Sequence, residues 1–215
     1  MVARYADRAE AGRRLAAAVR ECPELADGPV VVLGLPRGGV PVAHEIAREL
    51  AVPMDLLIVR KLGCPQQPEL AMGAVGEGGV TVMNDGVVRA ARITSTMVGD
   101  VAVRERAEIA DRVRRYRRGR PPVDLTGMVA VIVDDGIATG ATALAACEVV
   151  RARGSLRVLV AAPVMSPEAR RRLLDVADDV VGLQTPVDFR NVGSYYTDFR
   201  PVDEAEVLAF VLGGS

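Results

Sequence analysis

Val131-Ile132-Val133-Asp134-Asp135-Gly136-Ile137-Ala138-Thr139-Gly140-Ala141-Thr142 runs from a β-branched apolar stretch through two adjacent acids into a glycine- and threonine-bearing loop. The apolar run, counted from Met128 to Val133, predicts a buried strand, and the apolar spacing from about Ala141 to Arg153 predicts a helix, so the loop stands at a strand's carboxyl end. Open α/β sheets bind ligands there. Gly136 and Gly140 permit backbone angles that turn successive N–H groups inward, the helix N-terminus adds partial positive charge, and Thr139 and Thr142 add hydroxyls. The loop can therefore cradle an anion. A nucleoside-triphosphate loop would carry Lys before its last Ser/Thr, where this chain has Ala141, so a monophosphate fits better. Two carboxylates beside a phosphate repel it unless they face something else, such as a sugar diol or Mg²⁺. The bland alternative is a strand that ends on two acids, followed by an ordinary turn and cap. A phosphoacceptor or haloacid-type hydrolase also places Asp after a strand, but the latter wants D-x-D and Gly136 stands at the second position after Asp134.

Outward from this unit, a second strand at Leu156 to Ala162 completes a right-handed βαβ crossover. Ala11, Leu15 and Ala18 mark an amphipathic helix over residues 6 to about 20, and Pro29 to Leu33 reads as a buried strand with a helix opening after Pro41. Met54 to Val59 reads as a strand, Lys61 to about Gly79 as a mobile Pro- and Gly-rich loop, and Val80 to Met83 as an edge strand. From Thr94 to Tyr116, Val98, Ala102, Ile109 and Val113 share one face of a long helix whose arginines form a solvated face. The expected fold is α/β, a central twisted, mainly parallel sheet flanked by helices.

Composition narrows the function classes. The 215 residues are 50% hydrophobic, and 27 basic side chains nearly balance 28 acidic ones, so nothing electrostatic favours nucleic acid or a membrane surface. Aromatic residues are 3% of the chain and Trp is absent, which argues against base-stacking platforms. With no signal-like start and no spanning apolar run, a cytoplasmic protein with small-molecule partners is expected. Cys22, Cys64 and Cys147 fit neither a disulfide framework nor a C-x-x-C zinc site. The apolar patch on the first helix could serve a homodimer or could cover the domain core.

The strand, acid pair and G-x-x-T-G-x-T loop together resemble the diphosphoribosyl-binding motif of type I phosphoribosyltransferases. The resemblance runs in order from the first strand to about Phe199. It implies a Mg²⁺-dependent enzyme that transfers the 5-phosphoribosyl group of 5-phosphoribosyl diphosphate (PRPP) to a nitrogen acceptor, such as a nucleobase, with release of pyrophosphate. By this match Asp134 and Asp135 accept bonds from the ribose 2- and 3-hydroxyls, and Gly136, Ile137, Ala138, Thr139, Gly140, Ala141 and Thr142 hold the 5-phosphate.

The same family binds pyrophosphate on a short loop after the first strand, here Pro36-Arg37-Gly38-Gly39, where Arg37 is a permanent cation and the glycines allow close approach. Lys61, the single lysine in the chain, is similar by position to the basic residue that contacts pyrophosphate. Asp134, Asp135, Arg37 and Lys61 are thus the implied catalytic set. Near the end, FRNVGSYYTDF is similar to the segment that covers the base, which implies Phe189, Val192 and Asp198 as the acceptor pocket. Asp198 would join Asp134 and Asp135 around Mg²⁺, directly or through water. Ala138 stands where hypoxanthine- and guanine-specific enzymes carry an acid, and no Lys follows the Leu156 to Ala162 strand, so the resemblance does not extend to that specificity. A single phosphoribosyltransferase domain over 1–215 is implied, with a core at about 28–165 and a small hood from about 1–20 and 166–215. Two other outcomes stay open: a PRPP-binding regulator without turnover, and a hydrolase of phosphoribosyl compounds.

Overall fold

The computed structural model describes residues 4–212; the ends of the expected hood, residues 1–3 and 213–215, lie outside the described residues. Helix α1 (Arg8–Arg20) starts at Asp7, whose carboxylate accepts the N–H of Glu10. Strand β1 (Val30–Gly34) leads to α2 (Gly39–Leu50), which begins before Pro41 rather than after it. Proline is tolerated in a first turn, where its missing N–H has no helical partner to lose.

The expected strand from Met54 to Val59 divides. Its first half, β2 (Met54–Leu56), pairs in parallel with β1, and the chain then leaves for a second sheet as β3 (Val59–Cys64). The expected Pro- and Gly-rich loop from Lys61 to about Gly79 is instead an antiparallel pair, β3 with β4 (Gln67–Gly76), and β5 (Thr81–Met83) is its edge. The glycines that read as loop formers sit where backbones approach closely. A Cβ on Gly63 would lie 2.5 Å from the Pro68 carbonyl oxygen, and one on Gly73 would lie 2.3 Å from that of Val82.

Short α3 (Asp85–Ala90) precedes α4 (Ser95–Arg117), which ends at Arg118 in the left-handed region. The arginine run is not all solvated as expected. Arg117 is buried, donating to Glu77 at 2.6 Å, to Asp55 at 2.8 Å and to the Leu56 carbonyl at 2.9 Å. The remainder is β6 (Val129–Val133), α5 (Ala141–Ala152), β7 (Arg157–Val164), α6 (Pro167–Leu174), β8 (Asp179–Gln184) and α7 (Glu204–Leu212).

The main sheet is wholly parallel, in the order β2-β1-β6-β7-β8, with helices on both faces. Val32, Val131, Val133, Leu159 and Ala161 pack under α1 and α2, while Val31, Leu33, Ile132, Val158 and Val160 pack under α5 and α6. Alternate residues of each strand thus bury against opposite layers, as parallel sheets require. The apolar face of α1, including Leu15, Ala16 and Val19, is used against α2 and the sheet. This order also fixes a switch point. The chain winds one way from β1 to β2 and the other way from β6 onward, so the loops leaving β1 and β6 diverge around a crevice at their carboxyl ends. Among the described residues, no helix is long and apolar enough to cross a membrane.

Candidate functional site

Both loops singled out by sequence meet at that crevice. β1 and β6 pair in register up to Gly34 opposite Val133, and the Leu35 N–H donates to the Val133 carbonyl at 2.9 Å. The strands end together, and Pro36-Arg37-Gly38-Gly39 is laid directly on Asp134-Asp135. A Cβ at Gly38 would lie 2.0 Å from Asp135 Oδ2, and one at Gly39 would lie 2.4 Å from the Val133 carbonyl oxygen. Only glycine lets the two loops approach this closely. The Pro36–Arg37 peptide is cis, and the Arg37 side chain is exposed.

The β6 loop is held by the end of β7 and by α6. The Ile137 N–H donates to the Val164 carbonyl at 2.9 Å and the Ser166 N–H to the Ile137 carbonyl at 2.9 Å. Ser166 Oγ donates to the Ala138 carbonyl at 2.6 Å, and Arg172 donates to the Thr139 carbonyl at 3.1 Å. Carbonyls are thereby turned into the protein. Gly140, at φ 77°, caps α5, whose first residues Ala141 and Thr142 complete the loop. Ala138, Thr139 and Thr142 remain exposed, as an anion cradle needs.

Asp134 and Asp135 are adjacent, and Asp134 Oδ1 accepts the Asp135 N–H at 2.9 Å. Burial, and then the charge of Asp135, hold the Asp134 carboxyl well above the usual carboxylate range. Asp135 is also raised by burial, but a hydrogen bond from Arg8 opposes that shift. Among the described residues, one guanidinium, that of Arg8, pairs with the two carboxylates.

Lys61 lies on β3, half-buried opposite Ala74, and helps line a cavity of about 610 Å³ with Pro36, Thr142, Arg60, Arg104 and Arg112. The structure thus brings together Pro36 of the loop after β1, Thr142 of the loop after β6, and Arg60 and Lys61 of β3. Arg104, on α4, reaches this cavity; Arg106 instead donates to Thr81 Oγ1 at 2.9 Å. His44 packs against Phe210 with ring centres 5.0 Å apart. All three cysteines are buried and free, with burial pushing Cys22 and Cys147 up to about 12.

The suggested acceptor residues sit on the other flank of the phosphate loop. Val192 packs over Gly136, where a Cβ would come within 2.3 Å of its methyl group. Phe189 stacks on Tyr195 at 5.8 Å between ring centres. Asp198 is exposed and accepts the Arg200 N–H at 3.0 Å. It is not gathered with Asp134 and Asp135 into a three-ligand group: among the described residues that geometry occurs at Cys22, Glu24 and Asp179, at the amino end of β8. Sequence reasoning passed over Arg8, which pairs with Asp135, and Tyr196, whose hydroxyl donates to the Asp135 carbonyl at 2.6 Å. Neither belongs to a local pattern, since they lie 127 and 61 residues away.

A parallel sheet with two glycine-bearing loops and an acidic pair at its switch point defines a doubly wound α/β protein, the class whose crevice at the strand ends is the usual ligand site. The chain belongs to the phosphoribosyl transferase domain family, whose model matches residues 2–199. It is 50% identical over 207 residues to two Mycobacterium tuberculosis proteins, "Putative phosphoribosyl transferase MT0597" of strain CDC 1551 and "Putative phosphoribosyl transferase Rv0571c" of strain H37Rv. The match takes in 96% of this chain but 46% of each relative, so the chain spans about half their length. The solved structure of TT1426 from Thermus thermophilus is similar throughout, with a TM-score of 0.91 and 46% identity over 98% of both chains.

Proposed function

We propose that this protein is a Mg²⁺-dependent phosphoribosyltransferase that moves the 5-phosphoribosyl group from PRPP to a nitrogen acceptor, such as a nucleobase, and releases pyrophosphate in the cytoplasm. The observation that carries this reading is the seating of Gly38 and Gly39 on Asp134 and Asp135, which joins two loops suited to anions across a pair of hydroxyl acceptors. PRPP has the same order of groups: a 5-phosphate, a vicinal diol and a 1-diphosphate. In this reading the 5-phosphate lies in the cradle from Gly136 to Thr142, the 2- and 3-hydroxyls donate to Asp134 and Asp135, and the diphosphate lies along Pro36 to Gly39 beside Arg37 and Lys61.

Asp134 and Asp135, short of positive charge, also suit a hard divalent cation held directly or through water, with Asp198 as a more distant contributor. Bound there, Mg²⁺ would supply charge neutralisation to the departing diphosphate. The chain's own part is positional. Breaking the anomeric C–O bond leaves positive charge on the ribose ring and negative charge on pyrophosphate, so the acids stabilise one and Arg37, Lys61 and the loop N–H groups the other. No covalent enzyme intermediate is required. The acceptor approaches from the side of Phe189 and Val192, whose cluster gives an apolar wall beside Gly136. The single domain is read with its core over about 28–165, to which α1 and β8 add a covering helix and the last parallel strand, and with the rest of the terminal segments as its hood.

The test is pyrophosphate release from PRPP with Mg²⁺ across nucleobases and other nitrogen compounds, with an Asp134→Asn/Asp135→Asn variant as control. Release that needs one acceptor and vanishes in the variant is the expected result. Tight PRPP binding with no turnover for any acceptor would overturn catalysis in favour of a regulator, and release of ribose 5-phosphate without any acceptor would make water the acceptor.

A further inference from the structure

The acidic pair receives its one guanidinium from the N-terminal helix. Arg8 donates from Nε to Asp135 Oδ2 at 2.7 Å, with the two side chains only 11% and 14% exposed. Its Nη1 donates to the Arg200 carbonyl at 2.9 Å. The guanidinium carbon lies 4.1 Å from the centre of the Phe199 ring and 6.0 Å from that of Tyr196. Tyr196 in turn stacks on Phe199 at 5.0 Å and donates to the Asp135 carbonyl. Exposed ion pairs do not come with two fixed hydrogen-bond directions and an aromatic face, and they contribute little. This one is planar, sheltered and bonded to two separate parts of the chain.

The contacts dictate how Asp135 faces the crevice. Its Oδ2 accepts from Arg8 and Asp134 Oδ1 accepts from the Asp135 N–H, so one oxygen of each carboxyl is tied in place before a ligand diol arrives. Residues 197 and 198 are bonded through their N–H groups to the Tyr5 and Ala6 carbonyls at 2.8 Å, and the same guanidinium ties the next two residues, Phe199 and Arg200, to Asp135 at the floor of the site.

We infer that Arg8 is a positioning residue of the ligand site, fixing the Asp135 carboxylate for the ribose hydroxyls and latching the 196–200 segment over the phosphate loop. This rests on the reading of 134–142 as the PRPP site. Arg8 touches no reacting atom in this role; it sets in advance the orientation of a group that does. Lysine cannot replace it, because a point charge has neither the fork that spans Asp135 and the Arg200 carbonyl nor the flat face that lies on Phe199.

The experiment is calorimetric titration of the full chain with PRPP and Mg²⁺, using wild type, Arg8→Gly, Arg8→Lys and Phe199→Leu, each checked for folding by thermal melting. Arg8→Gly should weaken binding about ten- to a hundredfold, the scale of a charge-assisted hydrogen bond. Millimolar guanidinium chloride should restore much of that loss, while sodium chloride at equal ionic strength should not. Arg8→Lys should stay about tenfold weak and Phe199→Leu about fivefold weak. Unchanged affinity in a folded Arg8→Gly protein, or weak binding that guanidinium leaves alone and Arg8→Lys fully restores, overturns the role of Arg8 while the PRPP site stands. If Arg8→Gly does not fold, unchanged affinity in both Arg8→Lys and Phe199→Leu overturns it. Failure of wild type itself to bind PRPP overturns both the site reading and the latch.

Discussion

In the PRPP reading, Asp134 would serve a ligand at the expense of the fold. Its carboxyl titrates near 3.9 in an unfolded chain, but burial and Asp135 raise it well above that in the folded one. The folded state therefore binds this proton more tightly than the unfolded state, and stability is lost as pH rises from the unfolded value toward the folded one. Asparagine keeps the oxygen that accepts the Asp135 N–H and does not titrate. Asp134→Asn should thus be more stable than wild type by about 1–2 kcal/mol at pH 8, the gain closing toward pH 4, while PRPP binding is lost. Urea unfolding at the two pH values measures this, and equal stability at pH 8 would count against the strained pair. Gly38 and Gly39 separate packing from binding in the same way. A methyl at Gly39 meets backbone, which cannot yield, so Gly39→Ala should cost about 1–3 kcal/mol of stability. A methyl at Gly38 meets the Asp135 carboxyl, which can yield only by leaving Arg8, so Gly38→Ala should leave a folded protein that binds PRPP poorly. Thermal melts paired with titration distinguish the two cases.

At the scale of elements, the buried ion cluster at the end of α4 fastens the antiparallel sheet to the parallel one. Arg117, on α4, bonds Glu77 after β4 and Asp55 on β2, and Glu77 is only 4% exposed. Removing the cation strands the acid, so Arg117→Met should cost about 3–5 kcal/mol, and Arg117→Met/Glu77→Gln should recover much of it. Denaturant titration of both variants checks the difference. Sequence periodicity did not reveal this cluster because Arg117 continues a run of solvated arginines, and burial here depends on a turn 40 residues away. The β3–β4 pair was hidden for a related reason: Gly63, Gly73 and Gly76 break the β-branched pattern that marks a strand, and their purpose is visible only when the neighbour they admit is in place. By contrast, the β6 loop could be read directly. Its two acids, two glycines and two threonines are contiguous, and backbone geometry set by contiguous residues survives in sequence. Arg8 and Tyr196 both act on Asp135 from distant parts of the sequence and left no local mark.

For the molecule as a whole, the crevice gathers pieces that are far apart in sequence: the loop after β1, the loop after β6, the N-terminal helix through Arg8, and the 196–200 segment. A ligand that spans them favours the folded chain over the unfolded one by mass action, and Mg²⁺ matters if the diphosphate binds as its metal complex. At PRPP a hundredfold above its Kd, with Mg²⁺, stability should rise by about 2.7 kcal/mol. For a chain of this size that corresponds to a Tm increase of about 5–10 °C. Ribose 5-phosphate has the phosphate and the diol without the diphosphate, so it should stabilise less and depend less on Mg²⁺. Excess EDTA should therefore reduce the PRPP shift toward that of ribose 5-phosphate and lower the latter by less. Thermal melts with each ligand, with and without EDTA, make the comparison. Equal shifts from the two ligands would mean that Pro36 to Gly39 and Lys61 do not hold a diphosphate, and the ligand would then be a phosphorylated sugar bound through residues 134–142 alone. A PRPP shift indifferent to EDTA would keep the diphosphate site but leave Arg37 and Lys61, rather than a metal, to neutralise it.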